Sequence, residues 1–332
     1  MNDVISAAWG EATQTVQEIQ RRICAAASRL EADAQFVVDD WESPGANGAI
    51  KGRGSTRVIA GGSVFEKGGV NTSVASGTKL PPSLVAQRPE LEGCGFVVAG
   101  VSVVIHPLNP YAPTAHCNYR YFEARTAEGQ TAAWWFGGGA DLTPYYPLLE
   151  DVRHFHDAQR RACDKHDPAF YPAFKAWCDE YFYLKHRKET RGVGGIFYDY
   201  LDSGGFGESA NRTPFALPKS FSELLAFSSD AAQAFVDGYF PLVERHAHEP
   251  YGQREREFQL LRRGRYVEFN LIYDRGTIFG LQSGGRVESI LMSLPALVRW
   301  AYDERPEPGS REAELASYLV PRDWFATDPF AS

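Results

Sequence analysis

Several patterns that identify large classes of protein are missing from this chain of 332 residues. Its five cysteines are an odd number and contain no C-x-x-C pair, which argues against a disulfide framework or a zinc ribbon. We therefore expect reduced, buried thiols in a cytoplasmic protein. The G-K-S/T phosphate loop, the G-x-G-x-x-G fingerprint and the H-E-x-x-H zinc motif are also missing. The classes of nucleotide-binding protein and zinc protease that these motifs identify are thus excluded.

Positive charge is scarce as well. The chain has 34 Lys and Arg residues against 42 Asp and Glu residues, which gives a net charge of -8. Binding to nucleic acid or to an anionic membrane surface needs a basic face, so we expect neither partner. No apolar run approaches the roughly 20 residues that cross a bilayer, and the first residues lack the features of a signal or transit peptide. A local cluster of arginines must therefore capture any anionic ligand.

The chain contains ample material for a core, with 44% hydrophobic and 13% aromatic residues. Apolar residues at 3-4-3-4 spacing from Val16 to Leu30 predict an amphipathic helix over about 11–33. Predicted strands come in adjacent runs with helices grouped between them, which favours an α+β fold with a large antiparallel sheet covered by helices. We predict a single domain. Strands are expected at 98–105, 117–124, 131–136, 196–201, 265–273, 277–282 and 286–291, helices at 148–165, 168–190, 220–247, 250–262, 295–304 and 311–319, and short strands with ordered loops in 43–78.

One stretch, RRGRYVEFNLIYDRGTIFGLQSGGRVESILMS at residues 262–293, holds five arginines and two glycine turns. Alternating apolar residues predict a strand over 265–273 with arginines near its ends. A guanidinium matches a carboxylate bidentately, and glycine lets the backbone come close to a ligand. The stretch therefore predicts a site that binds several carboxylates at once.

The two turns of this stretch supply the candidate residues. Asp274, followed by Arg275, fits three interpretations: a salt bridge, an acceptor for ring N–H groups, or a base whose charge Arg275 stabilises. The turn at Gly284, Gly285 and Arg286 offers two backbone N–H groups and a guanidinium, which predicts an anion-binding nest.

A second candidate region is HPLNPYAPTAHCNYR at residues 106–120. Three prolines stiffen the loop between His106 and His116, which suits imidazoles held for an acid/base or ligand role. Alternatively, the two histidines have a structural role and donate to backbone carbonyls in a tight turn. Asn118 and Arg120 share a strand face with His116, so the face is rich in donors and favours a site.

Further along, WWFGGGADLTPYY at residues 134–146 has three consecutive glycines, which allow either close approach of a flat ligand or unusual backbone dihedrals. Asp141 within it fits either a structural hydrogen bond or a functional role. His154 and His156 are two residues apart on a predicted helix and cannot face one site. His186 is expected on the inward stripe of its helix. No spacing among these histidines is typical of a metal site.

Six long blocks occur in order along the chain: GGSVFEKGGVN (61–71), GVSVVIHPLNPYAPTAHCNYRYF (100–122), WWFGGGADLTPYY (134–146), KAWCDEYFYLKHRKETRGVGGIFYD (175–199), RRGRYVEFNLIYDRGTIFGLQSGGRVESILMSLP (262–295) and PRDW (321–324). With them, the chain resembles the oxygen-dependent coproporphyrinogen III oxidase family of haem biosynthesis over nearly its whole length. One position departs from the pattern. The family usually has a second acid after Asp199, where this chain has Tyr200, which argues against an essential role for that acid.

The resemblance implies a large antiparallel sheet sandwiched between layers of α-helices, in a homodimer whose contact includes residues from about 266 to 301. It also implies a reaction, in which two propionates of coproporphyrinogen III become vinyl groups, each with loss of CO2, to give protoporphyrinogen IX. O2 is the implied oxidant. Because the porphyrinogen is electron-rich and can itself donate electrons, we expect the chemistry to require no cofactor.

The resemblance also implies roles for individual residues. His116 matches a proton donor, and Asp274 and Arg275 match a pair placed against the pyrrole nitrogens and a carboxylate. The positions that match substrate-binding residues are Ser102, Asn118, Tyr119, Arg120, Gly284, Gly285 and Arg286. A divalent metal ion is a further candidate, and the histidines that match its proposed ligands are His106, His116, His156 and His186.

Two other functions remain as alternatives. A metal-dependent, histidine-ligated oxygenase acting on another carboxylate would lose turnover on chelation and would contain stoichiometric metal. A tetrapyrrole-binding carrier would bind the porphyrinogen tightly without consuming oxygen.

Overall fold

The computed structural model describes residues 7–43, 50–202, 219–282 and 285–331. Within these ranges, no helix has both the length and the apolar character needed to cross a bilayer. All five cysteines are free and buried, as the sequence predicts. Burial raises the pKa of the Cys24 thiol to about 11, which keeps it protonated.

The strands form one large antiparallel sheet and a short hairpin. In chain order they are β1 (Val37–Ser43), β2 (Ile50–Ala60), β3 (Phe65–Gly77), β4 (Gly95–Pro107), β5 (Thr114–Arg125), β6 (Thr131–Thr143), β7 (Tyr183–Leu184), β8 (Glu189–Thr190) and β9 (Gly194–Leu201). The large sheet has the order β1-β2-β3-β4-β5-β6-β9, and β7 pairs with β8. The predicted strands at 98–105, 117–124, 131–136 and 196–201 are confirmed within β4, β5, β6 and β9.

The glycine-rich residues 43–78 form longer strands than the sequence predicted, since β2 and β3 have 11 and 13 residues. Glycine here serves packing between strands. A Cβ at Gly54 would lie 2.4 Å from a ring carbon of Trp41, so the missing side chain lets the indole lie against β2. The prediction of short strands was wrong because glycine marks a close approach within a strand as well as a turn.

The helices are α1 (Ala7–Leu30), α2 (Pro82–Gln87), α3 (Leu149–Asp164), α4 (Phe170–Tyr181), α5 (Phe221–His246), α6 (Gln253–Ile272), α7 (Arg275–Gln282), α8 (Val287–Leu291) and α9 (Arg311–Tyr318). The predicted helices at 11–33, 148–165, 220–247 and 311–319 are confirmed to within a few residues at their ends. In α1 the residues Val16, Ile19 and Ile23 are buried, as their spacing predicts.

The two faces of the sheet differ in character. On β5 the odd-numbered residues from Cys117 to Glu123 are buried under helices and define the core face. Tyr119 on this face donates from its hydroxyl to Ala231 O of α5 at 2.9 Å, and Gln20 of α1 donates to a backbone oxygen of β3 at 2.9 Å. The even-numbered residues from His116 to Phe122, which include Arg120, are partly exposed on the opposite face. We call this opposite face the polar face.

Helix α6 corrects the prediction for residues 250–273. It is continuous to Ile272, where the sequence predicted a helix to 262 followed by a strand. Its buried residues Gln259, Arg263, Tyr266 and Asn270 recur every three or four positions, which is the helical period. The alternation of a few apolar residues fits both periods, and only the longer window distinguishes them.

Several neighbouring predictions were also wrong. Helix α4 ends at Tyr181, nine residues before the predicted end near 190, and the hairpin of β7 and β8 follows it. His186 lies in that hairpin and not on an inward helical stripe. The predicted strands at 277–282 and 286–291 are helices α7 and α8, and the predicted helix at 295–304 is irregular chain.

Part of the polar face is covered by α8 and the residues after it. Ser289 Oγ lies 2.7 Å from Thr56 Oγ1 of β2. Lys67 Nζ of β3 donates to Leu294 O at 2.7 Å. These bonds fix the segment over β1 to β3, and β5, β6 and β9 carry the next part of the same face.

Candidate active site

A row of short polar residues crosses the polar face. Asp39, Thr56, Asn71, Ser102 and Asn118 lie on successive strands, each directly opposite the next. Thr56 Oγ1 donates to Asn71 Oδ1 at 2.8 Å. The register therefore places two predicted substrate-binding residues, Ser102 and Asn118, side by side.

Three of the five positions in the adjacent row on the polar face are glycines. The row consists of Gly54, Ser73, Gly100, Arg120 and Gly137 in register. A Cβ at Gly137 would lie 2.8 Å from the guanidinium of Arg120, so the glycine is what lets this guanidinium lie against β6. On β3 to β6, beyond the part that α8 covers, the two rows form a floor of short side chains and one arginine on which a flat ligand can rest.

Two predicted arginines meet at one end of this floor. Arg120 Nη2 lies 2.8 Å from Asp199 Oδ2, and Arg275 Nη2 lies 3.7 Å from the same oxygen. Arg120 Nη1 also donates to Asn118 Oδ1 at 3.2 Å. The Arg275 guanidinium lies over the ring of Tyr181, 5.1 Å from its centroid. Arg120 and Arg275 are 155 positions apart in the sequence, and the fold brings them together on Asp199.

A bulge in β9 explains the position of Asp199. The register between β6 and β9 shifts opposite Gly137, and Tyr200 has a left-handed φ of 51°. The shift places Asp199 and Tyr200 on the same face, where a regular strand would separate them. The Tyr200 ring packs 5.2 Å from that of Trp135 and its hydroxyl donates to Gln87. Tyr200, where the family pattern has an acid, thus packs on Trp135 and donates to Gln87.

Asp274 begins helix α7. Its Oδ2 accepts from Thr277 N and from Thr277 Oγ1, both at 2.8 Å, as an N-cap does. Its Oδ1 accepts from the Tyr181 hydroxyl at 3.1 Å. Burial and the neighbouring Asp274 charge raise the pKa of Tyr181 to about 12, which keeps the phenol a donor. The sequence predicted that Asp274 follows the end of a strand, which was wrong, because Asp274 caps a helix. Its carboxylate is anchored beside Arg275.

His116 lies on the polar face, in the row next to that of Asn118 and on the side away from Arg120. Its Nδ1 is 2.9 Å from Asp141 Oδ1, and its ring makes an edge contact with Phe182 at 5.9 Å. Arg191 donates to both oxygens of Asp141, at 2.6 Å from Nη2 and 3.1 Å from Nε. Arg191 Nη1 donates to Asn270 of α6 at 3.0 Å. The buried ion pair between Asp141 and Arg191 thus fixes the orientation of His116.

Electrostatics fix the protonation of this group. Burial raises the pKa of Asp141, but the charge of Arg191 and the hydrogen bond from His116 outweigh it and hold the pKa below its usual range. Asp141 is therefore a carboxylate and can only accept. His116 Nδ1 must carry the hydrogen, which leaves Nε2 as the nitrogen that can gain or lose a proton.

Arg286 lies at the opposite end of the floor. Its Nη2 is 2.5 Å from Asp39 Oδ2 on β1. Four strand spacings separate Asp39 on β1 from Asn118 on β5, which is roughly 19 Å at about 4.8 Å per strand. Arg286 and Arg120 are therefore not neighbours. They lie at the two ends of the floor.

The remaining predicted substrate-binding residues divide into three cases. Ser102 and Asn118 face the floor, as described above. Tyr119 is on the core face with its hydroxyl on Ala231 O, so its side chain does not reach the floor. Gly285 N donates to Gly280 O at 2.8 Å, and Gly284 lies outside the described residues.

The four histidines named as metal ligands lie at separate places. His106 contacts Thr114 and Ser293 O, His156 contacts Tyr171 and Val193 O, and His186 contacts Tyr273 and Glu268. Burial lowers the pKa of His156 to about 3. Among the residues that the structure describes, no three His, Cys, Asp or Glu side chains form a group that could hold a metal ion. The arrangement does not fit a shared metal centre, and we derive no step through one.

Three residues at the site were not predicted from the sequence as functional. Arg191 lies between α4 and β9 and carried no motif of its own, although a buried arginine needs a partner. Asp199 was noted only as the residue before Tyr200. Tyr181 lies in the predicted helix over 168–190 and was given no role of its own. A cavity of about 610 Å³ between α1 and the core face of β1 to β3 contains none of these residues, and its walls mix charges of both signs.

Comparison with known proteins agrees with the motifs. The model of the coproporphyrinogen III oxidase family matches residues 11–324. An oxygen-dependent coproporphyrinogen-III oxidase of Prochlorococcus marinus (strain NATL1A) is 49% identical over 95% of this chain and 90% of its own length. The protein of the same name from Parasynechococcus marenigrum (strain WH8102) is 52% identical over 93% of this chain and 85% of its own length. The chain therefore belongs to the coproporphyrinogen III oxidase family.

Proposed function

We propose that this protein oxidises coproporphyrinogen III with O2, converting two propionates to vinyl groups and giving protoporphyrinogen IX. The observation that carries the proposal is the floor of the polar face with arginines at both of its ends. Four carboxylates at the rim of a broad macrocycle need cations spaced across a wide, shallow surface. Relatives that cover nearly the whole chain are named as oxygen-dependent oxidases of this substrate.

Each of the two conversions balances without a further reductant. One propionate loses its carboxylate as CO2 and one hydrogen from its β-carbon, and a carbon–carbon double bond forms. O2 receives the two electrons, the β-hydrogen as a proton and a second proton from His116 or water, and leaves as H2O2. The pyrrole ring supplies the electrons to O2, so the protein has to orient, hold and shield the macrocycle.

The residues of the floor divide this work. Asp274 accepts hydrogen bonds from pyrrole N–H groups, since a carboxylate that already accepts from Thr277 and Tyr181 retains acceptor capacity. Its charge favours loss of a pyrrole proton, after which O2 adds to a ring carbon. The peroxide then removes the β-hydrogen of the propionate as CO2 leaves. His116 supplies or receives a proton at Nε2, and Arg120, Arg275 and Arg286 hold carboxylates.

We also propose that the protein is a homodimer joined through residues of about 266–301. The support is a concentration of exposed large apolar side chains in that segment, which is unusual for a free surface. They are Leu271, Ile272, Phe279, Leu281, Val287, Leu297 and Trp300. Five buried free thiols fit a reducing compartment, and we place the protein in the cytoplasm.

The function is tested by incubating the purified protein with coproporphyrinogen III in air and under argon. Products are oxidised chemically and identified by chromatography with fluorescence detection. We expect a divinyl product in air and none under argon, with chelator-treated protein included as a matched sample. Binding of the porphyrinogen without vinyl product or oxygen uptake would instead identify a carrier. Turnover that requires stoichiometric metal and another carboxylate substrate would identify the alternative oxygenase.

A further inference from the structure

The corner where Arg120, Asp199 and Arg275 meet contains a carboxylate that takes no part in the proposed reaction steps. Asp199 Oδ2 lies 2.8 Å from Arg120 Nη2 and 3.7 Å from Arg275 Nη2. Its other oxygen accepts from Tyr200 N at 3.0 Å. The carboxylate is therefore held by the backbone of the bulge on one side and contacts two guanidinium groups on the other.

The surroundings make Asp199 rigid and leave the arginines accessible. The Asp199 side chain is 11% exposed, whereas those of Arg120 and Arg275 are 31% and 47% exposed. Two guanidinium groups beside one another repel. If a ligand has to order two long side chains as it binds, the entropy that they lose weakens binding. A fixed carboxylate between them removes the repulsion and orders both before a ligand arrives.

We infer that Asp199 is a positioning residue, which holds Arg120 and Arg275 side by side as a corner that binds one propionate carboxylate. This inference rests on the proposed function. In the complex the charges alternate, with the guanidinium groups between Asp199 and the propionate. The nearer attractions then outweigh the repulsion between the two more distant carboxylates. The bulge at Tyr200 serves this arrangement, because it turns Asp199 and the N–H of Tyr200 towards the same face.

The inference is tested with coproporphyrin III, the aromatic and unreactive counterpart of the substrate, whose dissociation constant follows from its fluorescence. A double-mutant cycle uses Asp199→Asn, Arg275→Gln and the two combined. If Asp199 acts through the arginines, each single variant weakens binding about tenfold and the double variant is within about threefold of either single one. Asp199→Glu, which keeps the charge, is expected to bind within about threefold of the unchanged protein.

Asp157 provides a matched control, because it also pairs with two arginines, Arg160 and Arg161, on the surface of α3. Asp157→Asn changes the net charge equally and should leave coproporphyrin binding unaltered. Thermal unfolding of every variant confirms that it is folded. Independent, multiplying effects of Asp199→Asn and Arg275→Gln would overturn the inference, as would unchanged or tighter binding by Asp199→Asn. Failure of the unchanged protein to bind coproporphyrin or to turn over the porphyrinogen would overturn the proposed function and this inference with it.

Discussion

Asp141 Oδ1 lies 2.9 Å from His116 Nδ1 and 2.6 Å from Arg191 Nη2, so one oxygen joins a histidine at the floor to a guanidinium in the interior. The Arg191 guanidinium is also enclosed by aromatic rings, with that of Phe182 at 4.1 Å. Its pKa is raised, because the charge of Asp141 outweighs the effect of burial. The histidine is therefore orientated by a permanently charged pair and not by a neutral hydrogen bond that could reverse.

Replacing His116 should separate catalysis from stability. His116→Gln removes the proton at Nε2, and we expect kcat to fall by about 10²- to 10⁴-fold, the usual contribution of a general acid or base. The side chain is partly exposed, so the free energy of unfolding should change by about 1 kcal/mol or less. Steady-state oxygen uptake and urea denaturation measure the two quantities. A variant that retains full kcat would remove His116 from the mechanism.

Asp141→Asn should behave in the opposite way. It leaves the Arg191 charge without its carboxylate in the interior, and breaking a buried pair in this manner costs about 3–5 kcal/mol. We expect a lower urea midpoint with an unchanged slope, in addition to reduced turnover. Equal stability of this variant and the unchanged protein would contradict the buried ion pair.

Asp274 caps helix α7 and is proposed to accept hydrogen bonds from pyrrole N–H groups. Two substitutions distinguish these roles. Asn caps helices about as well as Asp, whereas Ala costs about 1 kcal/mol at an N-cap. Asp274→Asn should therefore keep the melting temperature but lose at least about 100-fold in kcat, since it lacks the negative charge that the pyrrole nitrogens need. Asp274→Ala should lose both. Wild-type turnover by the Asn variant would reduce Asp274 to the cap of α7.

Gly137 should control substrate binding through its neighbour. A methyl group at this position meets the Arg120 guanidinium at 2.8 Å, so Gly137→Ala should displace that group and raise KM about tenfold, the equivalent of one charged hydrogen bond. Gly52 is a control on the same sheet, where an added Cβ makes only ordinary contacts at 3.5 Å or more. Similar KM values for Gly52→Ala and Gly137→Ala would contradict the binding role of Arg120.

Stability should depend on pH through His246. Its pKa is raised, first by the hydrogen bond to Asp151, whose Oδ2 is 2.7 Å from Nε2, and also by Glu249. Because the folded pKa exceeds the unfolded value of about 6.5, its stabilisation is complete below that pH and is lost as the pH rises through the folded pKa. His246→Gln should therefore be most destabilising near pH 5.5 and least near pH 9. Urea midpoints across this range check the sign, and a gap that widens with pH would refute it.

Sequence patterns predicted the sheet far better than the C-terminal half of the site. The β-branched run at 98–105 and the two segments after it identified β4 to β6 correctly. Strand alternation identified the shared face of His116, Asn118 and Arg120. The strand predicted over 265–273 was wrong, because a few alternating apolar residues are compatible with α6. Asp274 was predicted as a candidate, but its cap to Thr277 depends on helix α7, which the sequence pattern did not predict.

The pairing of distant charges could not be predicted at all. Arg191 meets Asp141 from 50 positions away, and Arg286 meets Asp39 from the other end of the chain. Regular strand alternation would also place Asp199 and Tyr200 on opposite faces. The one-residue bulge in β9 puts them on the same face instead. Each of these three relationships arises from register or long-range packing, and none of them follows from local composition.

A crystal structure of the protein with coproporphyrin III bound tests the central claim most directly, through the distances from the propionate carboxylates to the arginines. We predict a macrocycle lying flat over Ser102, Asn118 and Gly137, with one propionate within hydrogen-bond distance of Arg120 or Arg275 and another near Arg286. A macrocycle in the cavity beside α1, or one that leaves all three arginines without a propionate, would contradict the account.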